Sequence, residues 1–411
     1  MATFLAYIEP VTGRLYPLIL TLQELAGRGH RVTVRSGVNE VELLRSLGFD
    51  ADLLAPELVG FEPSDWQART RFGALIRALN QFGQRAPAQA TDLRQAIDVE
   101  QPDVVILDET SWGAAAAAER SGLPWAFSVP SPVPVTSRDA PPFGLGLTPR
   151  HDAVGRVRDG LARPLTVGTL ARIIGKHVNP VRTELGLSPL RTLDQFYLAA
   201  SLVLVYSAEP FEYPRSDWPA RVRLVGPGLW EPPADPPSWL ADLHRSLVLV
   251  TCSTAFQNDV RLAEVACEAF AGEPFDVVLT TGDVDASRLQ VPVNVRVERF
   301  VPHSPVLARA VCAVCHAGMG ITQKALAHGV PVVAVPFGRD QPEVARRVEV
   351  AGAGVRLPAR KLTPHRLRSA VHHAIELRPG AERIAAAFAA AGGPTAAADA
   401  LEQLAGRRVA R

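Results

Sequence analysis

The fold is decided by Ala313–Leu357, AVCHAGMGITQKALAHGVPVVAVPFGRDQPEVARRVEVAGAGVRL. It opens on a short apolar strand ending at His316, followed by the turn Ala317-Gly318-Met319-Gly320. The pattern predicts a short helix from about Ile321 to His328, stopped by Gly329, a residue type suited to a left-handed C′ position. A second apolar strand, Val330 to Phe337, leads into a polar loop holding Asp340 and Gln341. The next helix is predicted from about Pro342 to near Gly352. Strand, turn, helix and strand make a βαβ unit. Glycines at the turn let backbone N–H groups approach a ligand, and the helix points its positive end at the same spot, so phosphate suits it. A carboxylate beside an amide offers acceptors and donors to sugar hydroxyls. A phosphate site followed by a polyol site points to a nucleotide sugar. The bland alternative is an ordinary βαβ turn with a buried histidine.

With 411 residues, two domains are expected. A hydrophobic share of 47% and a charged share of 21% are ordinary for a globular chain. The net charge of +1 gives no global field towards nucleic acid or an anionic membrane. Four cysteines exclude a disulfide scaffold and fit a reducing cytosol, so a cytoplasmic location is expected. Cys312 and Cys315 form a CxxC, but on a strand they point to opposite faces, which argues against a metal or redox pair. The N-terminus lacks a basic segment before a long apolar core, so no signal peptide is expected. No long uncharged apolar run predicts a membrane span.

The first half opens with a strand at Thr3 to Ile8, a turn at Glu9 to Arg14, a helix at about Leu15 to Ala26 and a strand at His30 to Ser36. This reads as the start of a Rossmann-like sheet. Asp65 to Glu100 is expected to be mostly helical, with a break at Pro87. Asp103 to Leu107 is a buried strand with Asp108 at its end. Ser131 to Pro149 is a Pro- and Gly-rich loop of the kind that lines sites. Arg150 to Leu187 is helical and basic, most simply a solvated helix face. Tyr213 to Trp239, dense in proline, is expected to be a stiff extended linker between a first domain, 1–212, and a second, 240–385. A helix over 386–411 closes the chain. In open parallel sheets, ligands sit beyond the C-terminal ends of strands. That rule selects Pro10 to Arg14, Asp108 to Ser111, Ser253-Thr254, Pro302-His303 and His316 to Thr322. At Ser253-Thr254 a simple turn with an N-cap role is equally consistent with the spacing.

The stretch HAGMGITQKALAHGVPVVAVPFGRDQPEVARRV resembles the donor-binding signature of the family 1 glycosyltransferases of GT-B fold, and is most similar to bacterial members that decorate antibiotics and other natural products. The resemblance implies two Rossmann-like domains with parallel sheets facing a central cleft, the last helix packing back on the first domain. It implies His316, Gly318, Gly320 and Thr322 around the diphosphate, and Asp340 and Gln341 on the donor sugar. The segment FVPHSPVL resembles the family loop at the nucleobase, which brings in Val301 and His303. The usual pattern is HGGxGT; Ala317 and Ile321 depart from it, leaving Thr322 as the nearest hydroxyl. The implied reaction is inverting transfer of a sugar, such as a deoxysugar, from a dTDP- or UDP-sugar to a small-molecule natural-product acceptor. No cofactor and no metal are implied, and a homodimer or an auxiliary protein are the possible protein partners.

One departure concerns the chemistry. Pro10-Val11-Thr12-Gly13-Arg14-Leu15-Tyr16-Pro17 resembles the family's PxxGHxxP, whose histidine is the general base oriented by an aspartate matching Asp108. Here the position is Arg14, which cannot be deprotonated. Three readings stay open. Asp139 in the Ser131–Pro149 loop acts as the base; or an acidic phenol or electron-rich aromatic carbon needs little base; or the chain is a silent homologue that binds nucleotide. Arg14 is expected to pair with Asp108 or Glu9. A NAD oxidoreductase is disfavoured, because Glu9 to Arg14 lacks GxGxxG and no acidic residue closes the second strand. A nucleotide-sugar epimerase is a lesser alternative.

Overall fold

The computed structural model describes residues 1–60, 71–253, 260–282 and 286–409. The first sheet is built from β1 (Thr3–Tyr7), β2 (Arg31–Ser36), β3 (Asp50–Leu53), β4 (Val104–Asp108), β5 (Trp125–Val129), β6 (Leu202–Val205) and β7 (Val222–Leu224). The second holds β8 (Ser246–Thr251), β9 (Phe275–Thr280), β10 (Val295–Glu298), β11 (Ala310–Cys315), β12 (Val332–Ala334) and β13 (Gly354–Arg356). Strand order is β3-β2-β1-β4-β5-β6-β7 in one and β10-β9-β8-β11-β12-β13 in the other. Every pairing is parallel. The order reverses between β1 and β4 and between β8 and β11, the switch points where α/β sheets open a crevice for ligands.

Helices cover both faces. In the first half they are α1 (Thr12–Gly27), α2 (Val38–Ser46), α3 (Pro56–Val59), α4 (Arg71–Gln84), α5 (Ala86–Glu100), α6 (Trp112–Ser121), α7 (Ala153–Leu165), α8 (Val167–Glu184) and α9 (Leu193–Tyr197). The second half has α10 (Val260–Phe270), α11 (His303–Leu307), α12 (Met319–Ala327), α13 (Gln341–Val350), α14 (Pro364–Glu376), α15 (Arg378–Ala390) and α16 (Gly393–Val409). Central strands are continuous apolar runs because helices bury them on both sides. On β1, Leu5 and Tyr7 enter one core and Phe4 and Ala6 the other. On β11, Cys315 faces one core and Cys312 the opposite one, so the CxxC sulfurs lie on opposite sides of the sheet. All four cysteines are free and buried.

Several boundaries differ from the sequence reading. Helix α1 starts at Thr12, so Gly13 and Arg14 lie in its first turn rather than in a loop. The long helical stretch divides at Arg85, with Pro87 in the first turn of α5; its expected start, Asp65, lies outside the described residues. The proline-dense segment is not only a linker. It contributes β7 to the edge of the first sheet, and Tyr213, Val222 and Trp230 are buried. Prolines end each extended piece there, while Val222 and Leu224 still pair with β6.

The closing helices split between the halves at Gly392, which has φ +86°. Ile384 and Phe388 of α15 join the second core, whereas Ala397, Leu401 and Leu404 of α16 join the first. Arg28 fixes α16 from the other side through Asp399 at 2.6 Å and Glu402 at 2.7 Å. Arg378–Gly406 reaches a mean hydropathy of 1.2, enough by composition for a membrane-crossing helix. In the fold it is two helices, broken at Gly392 and each packed on a sheet.

Candidate active site

The C-terminal ends of β1 and β4 meet those of β11 and β12 across a cleft. A cavity of about 180 Å³ lies there. Its walls are mostly apolar, with Leu75, Ala78 and Phe82 of α4, Trp112, and Leu170 and Ile174 of α8 among them. Its polar end holds Arg14 and Glu109 from the first half and Arg339 and Asp340 from the second. An apolar cavity with a few convergent charged groups is the usual form of a small-molecule site.

Arg14 does not pair with Asp108 or Glu9, as expected from the sequence; it donates to Oε1 of Glu109. The local hydrogen bonds explain this. Asp108 is fully buried, accepting on Oδ2 from the Glu9 N–H at 2.7 Å and the Ser111 hydroxyl at 2.6 Å, and on Oδ1 from the Thr110 N–H at 2.7 Å and the Thr110 hydroxyl. Glu9 is also fully buried and is taken by Arg85 at 2.8 Å and Gln89 at 2.6 Å. Burial raises the Glu9 carboxyl to about 7, against the pull of Arg85. Both carboxylates brace the first βα turn.

Glu109 also accepts from the Ser131 hydroxyl at 2.5 Å and the Tyr197 hydroxyl at 3.0 Å. Burial, then the charge of Glu109, pushes the Tyr197 phenol well up, so it stays a neutral donor. Sequence reading included Glu109 and Ser131 only within the stretches Asp108 to Ser111 and Ser131 to Pro149, gave neither a role, and missed Tyr197 and Arg339. Glu109 was adjacent to the residue singled out at the end of β4, and that adjacency was the available signal. The Asp340 carboxyl is raised by burial, with Arg14 opposing and Glu109 adding to the rise. Arg14 thus lies between two carboxylates from different halves of the molecule.

Asp139 lies apart from the cavity. Its Oδ2 accepts from the Ser216 N–H and hydroxyl, both at 2.6 Å, which holds its carboxyl below the usual range. It ties the loop to the residues after β6, and this geometry gives no support to its role as the base.

On the second half, His316 lies just beyond β11 and its imidazole stands over Gly318, where a Cβ would sit 2.4 Å from Nε2. Burial pushes this imidazole down to about 4, with Arg339 adding to the drop, so it is neutral near pH 7. Its Nδ1 is buried and makes no hydrogen bond of good geometry, while the Thr251 backbone lies close enough to the ring to favour its protonated form slightly. Ala317 replaces the family's glycine at φ +65°, a left-handed conformation that costs a side chain about 1–2 kcal/mol. Gly318 is the N-cap of α12, and Gly320 in its first turn is exposed, with nothing within 4 Å of where a methyl group would sit.

Thr322, Gln341 and Val301 are all buried on the donor side. Thr322 is fully buried with its hydroxyl 3.6 Å from Cys315 Sγ, because the helix turns that position into the core. Gln341 is 1% exposed, and its Oε1 accepts from the Phe337 N–H at 2.7 Å and the Gly338 N–H at 2.9 Å. That bond shapes the loop carrying Arg339 and Asp340. Val301 is buried in the second core, leaving only its backbone for a ligand. His303 starts α11, with Nε2 3.3 Å from the Thr280 hydroxyl; burial, then Lys324, lowers it to about 4. Ser253 is buried just beyond β8, and Thr254 lies outside the described residues.

The two halves are joined beside the cavity. Arg347 of α13 donates to Glu212 at 2.8 and 3.0 Å and to Glu343 at 3.1 Å. Glu343 accepts from the N–H groups of Gly144 and Gly146 at 2.8 and 2.7 Å. Gly146 has φ +58°, and a Cβ there would meet the Pro342 carbonyl oxygen at 2.4 Å. The Ser131–Pro149 loop is therefore pinned to α13, one turn from Asp340. Among the described residues, no cluster of His, Cys, Asp and Glu could hold a metal ion.

Two parallel, Rossmann-like sheets facing a ligand cleft, with the last helix crossing back, define the GT-B fold. The family model for "Erythromycin biosynthesis protein CIII-like, C-terminal domain" matches residues 272–404. The chain is 34% identical to 4'-demethylrebeccamycin synthase of Lentzea aerocolonigenes, over 98% of this chain and 99% of that protein. Its fold matches the crystal structure of CalG4, the calicheamicin glycosyltransferase, with a TM-score of 0.74 at 23% identity over 99% of both chains. It also matches glycosyltransferase VinC, solved in complex with dTDP, with a TM-score of 0.71 at 22% identity over 98% of this chain and 100% of that one. The chain belongs to the erythromycin CIII-like, family 1 glycosyltransferases of bacterial natural-product and antibiotic biosynthesis.

Proposed function

We propose that this glycosyltransferase carries out inverting transfer of a sugar from a dTDP-sugar to an apolar, aromatic natural-product acceptor held in the cavity between α4, α6 and α8. The observation that carries this reading is the placement of Asp340 at the polar end of an otherwise apolar cavity, facing Arg14 and Glu109. The sugar would lie against Asp340, its diphosphate at His316 and the N-terminus of α12. The exposed first turn of α12 at Gly320, with the His316 imidazole beside Gly318, suits an anion. A leaving diphosphate would be stabilised there by aligned N–H groups. The choice of dTDP leans on the VinC complex. An aromatic acceptor fits both the apolar lining and the naming of the relative as a rebeccamycin-type synthase.

The experiment is product mass after incubation with dTDP- and UDP-sugars and a panel of phenolic and polycyclic aromatic acceptors. A product heavier by one sugar, inverted at the anomeric carbon by NMR, supports the reading, and its stability to acid separates carbon from oxygen attachment. Bound dTDP with no product from any pair would favour a silent homologue instead.

A further inference from the structure

We propose that Glu109 accepts the proton of the incoming acceptor, and that the site is therefore matched to acceptors with an acidic O–H or N–H on an apolar ring system rather than to aliphatic alcohols. This deepens the reading of the cavity as the acceptor site and rests on it.

The assignment follows from which groups reach the cavity with basic capacity. Its lining holds two carboxylates among the described residues, Glu109 and Asp340. Asp340 stands on the opposite wall, on the loop shaped by Gln341. Asp108 accepts two donors on each oxygen and has no exposed surface. Glu9 is enclosed with Arg85 and Gln89, and Asp139 is turned to Ser216. Arg14 keeps its proton at any working pH.

Glu109 has one place left. A carboxylate offers about four acceptor sites, two on each oxygen. Oε1 takes Arg14 and Ser131, and Oε2 takes Tyr197 alone. The fourth site, on Oε2, is open for a donor from a molecule in the cavity that Glu109 lines. The three fixed donors hold the carboxylate in one orientation, as a positioned base needs.

The electron count closes without another reactant. The acceptor's X–H bond breaks and its proton passes to Oε2 of Glu109. The electron pair left on X forms the bond to the anomeric carbon. The bond from that carbon to the diphosphate oxygen breaks, its pair leaving with the nucleoside diphosphate. Glu109 ends as a neutral acid, and Arg14 keeps its charge beside Asp340.

This sets the substrate class. A carboxylate is as a class a weaker base than an imidazole. It removes a proton most readily from a group that is itself acidic before transfer. Phenols (the Tyr phenol titrates at about 10) and acidified ring N–H groups such as imides meet this condition, and aliphatic alcohols do not.

The test uses the full-length enzyme with dTDP-sugar and phenols of graded acidity on one ring framework, plus the matching benzylic alcohol. Glu109→Gln should bind dTDP as wild type does. It should lose roughly 100-fold or more in kcat/KM on the least acidic phenol. The loss should shrink as acceptor acidity rises, and the acid limb of the wild-type pH profile should vanish. Glu109→Asp should recover part of the rate. Wild-type transfer by the Gln variant, or a loss equal for every acceptor with dTDP binding intact, overturns the proposal. If the Gln variant fails to bind dTDP, Glu109→Asp carries the test: a loss graded by acidity supports it and an ungraded one overturns it. Wild-type enzyme that transfers to none of the series while binding dTDP contradicts the acceptor site itself.

Discussion

Arg14 in the first turn of α1 and Glu109 just beyond β4 form an ion pair on the wall of the cavity, with side chains 23% and 6% exposed. A residue that resembles the family's base position only in place has become the cation that holds a neighbouring carboxylate. Removing one partner of a fully buried pair costs about 3–5 kcal/mol. Ser131 and Tyr197 would still serve Glu109, and Arg14 is partly exposed, so Arg14→Ala should cost less, about 1–2 kcal/mol. Urea unfolding measures this. Adding Glu109→Gln to Arg14→Ala should cost less than the sum of the single changes, whereas additive losses would mean the pair is not coupled.

Gly318 and Gly320 make a paired test of the donor side. A methyl at Gly318 would strike the His316 ring, so Gly318→Ala should displace the imidazole and weaken dTDP binding by about tenfold or more, about 1.4 kcal/mol. A methyl at Gly320 meets nothing in the protein. Gly320→Ala should therefore leave the unfolding midpoint unchanged and weaken only nucleotide binding, where a diphosphate approaches the helix. Calorimetry with dTDP separates the two effects. Undiminished dTDP affinity in both variants would place the diphosphate elsewhere.

The βαβ unit at Ala313–Leu357 was legible because hydrophobic runs, glycines and loop polarity repeat locally along the chain. The same local logic placed the alternating faces of β11 and the N-terminal strand. It said less about where individual side chains turn, which depends on helical phase, loop closure and, in places, partners distant in sequence. Thr322 was placed near the phosphate by the family resemblance, and helical phase turns its hydroxyl towards Cys315. Gln341 was assigned to sugar, yet its Oε1 closes its own loop. Asp139 and Glu109 are both plausible from position, and only the distant Ser216 and Tyr197 distinguish them. The prolines before Trp239 signalled a linker, and the pairing of β7 with β6 was invisible because its three residues carry no periodic signal.

His303 gives a pH-dependent prediction. Burial and Lys324 lower its imidazole to about 4, against an ordinary value of 6.5. Between those values the unfolded chain takes up a proton that the folded chain refuses. The stability attributable to this residue therefore falls as pH drops from 6.5 towards 4, by at most about 1.4 kcal/mol per pH unit. His303→Gln cannot take up that proton. The wild-type protein should lose stability relative to the variant between pH 7 and pH 5 in urea unfolding. A wild-type-minus-variant difference that stays constant with pH would contradict the lowered value.

The most direct test of the cavity as the acceptor site is to fill it. Ala78 on α4 is 8% exposed and lines the cavity. Ala78→Trp should occupy much of the space while leaving the donor half untouched. Transfer kinetics and dTDP titration on the same preparation give the answer. The account predicts that acceptor kcat/KM falls by about 100-fold or more, on the scale of about 3 kcal/mol, with dTDP affinity unchanged. Wild-type transfer to the same acceptor by the folded variant would contradict it.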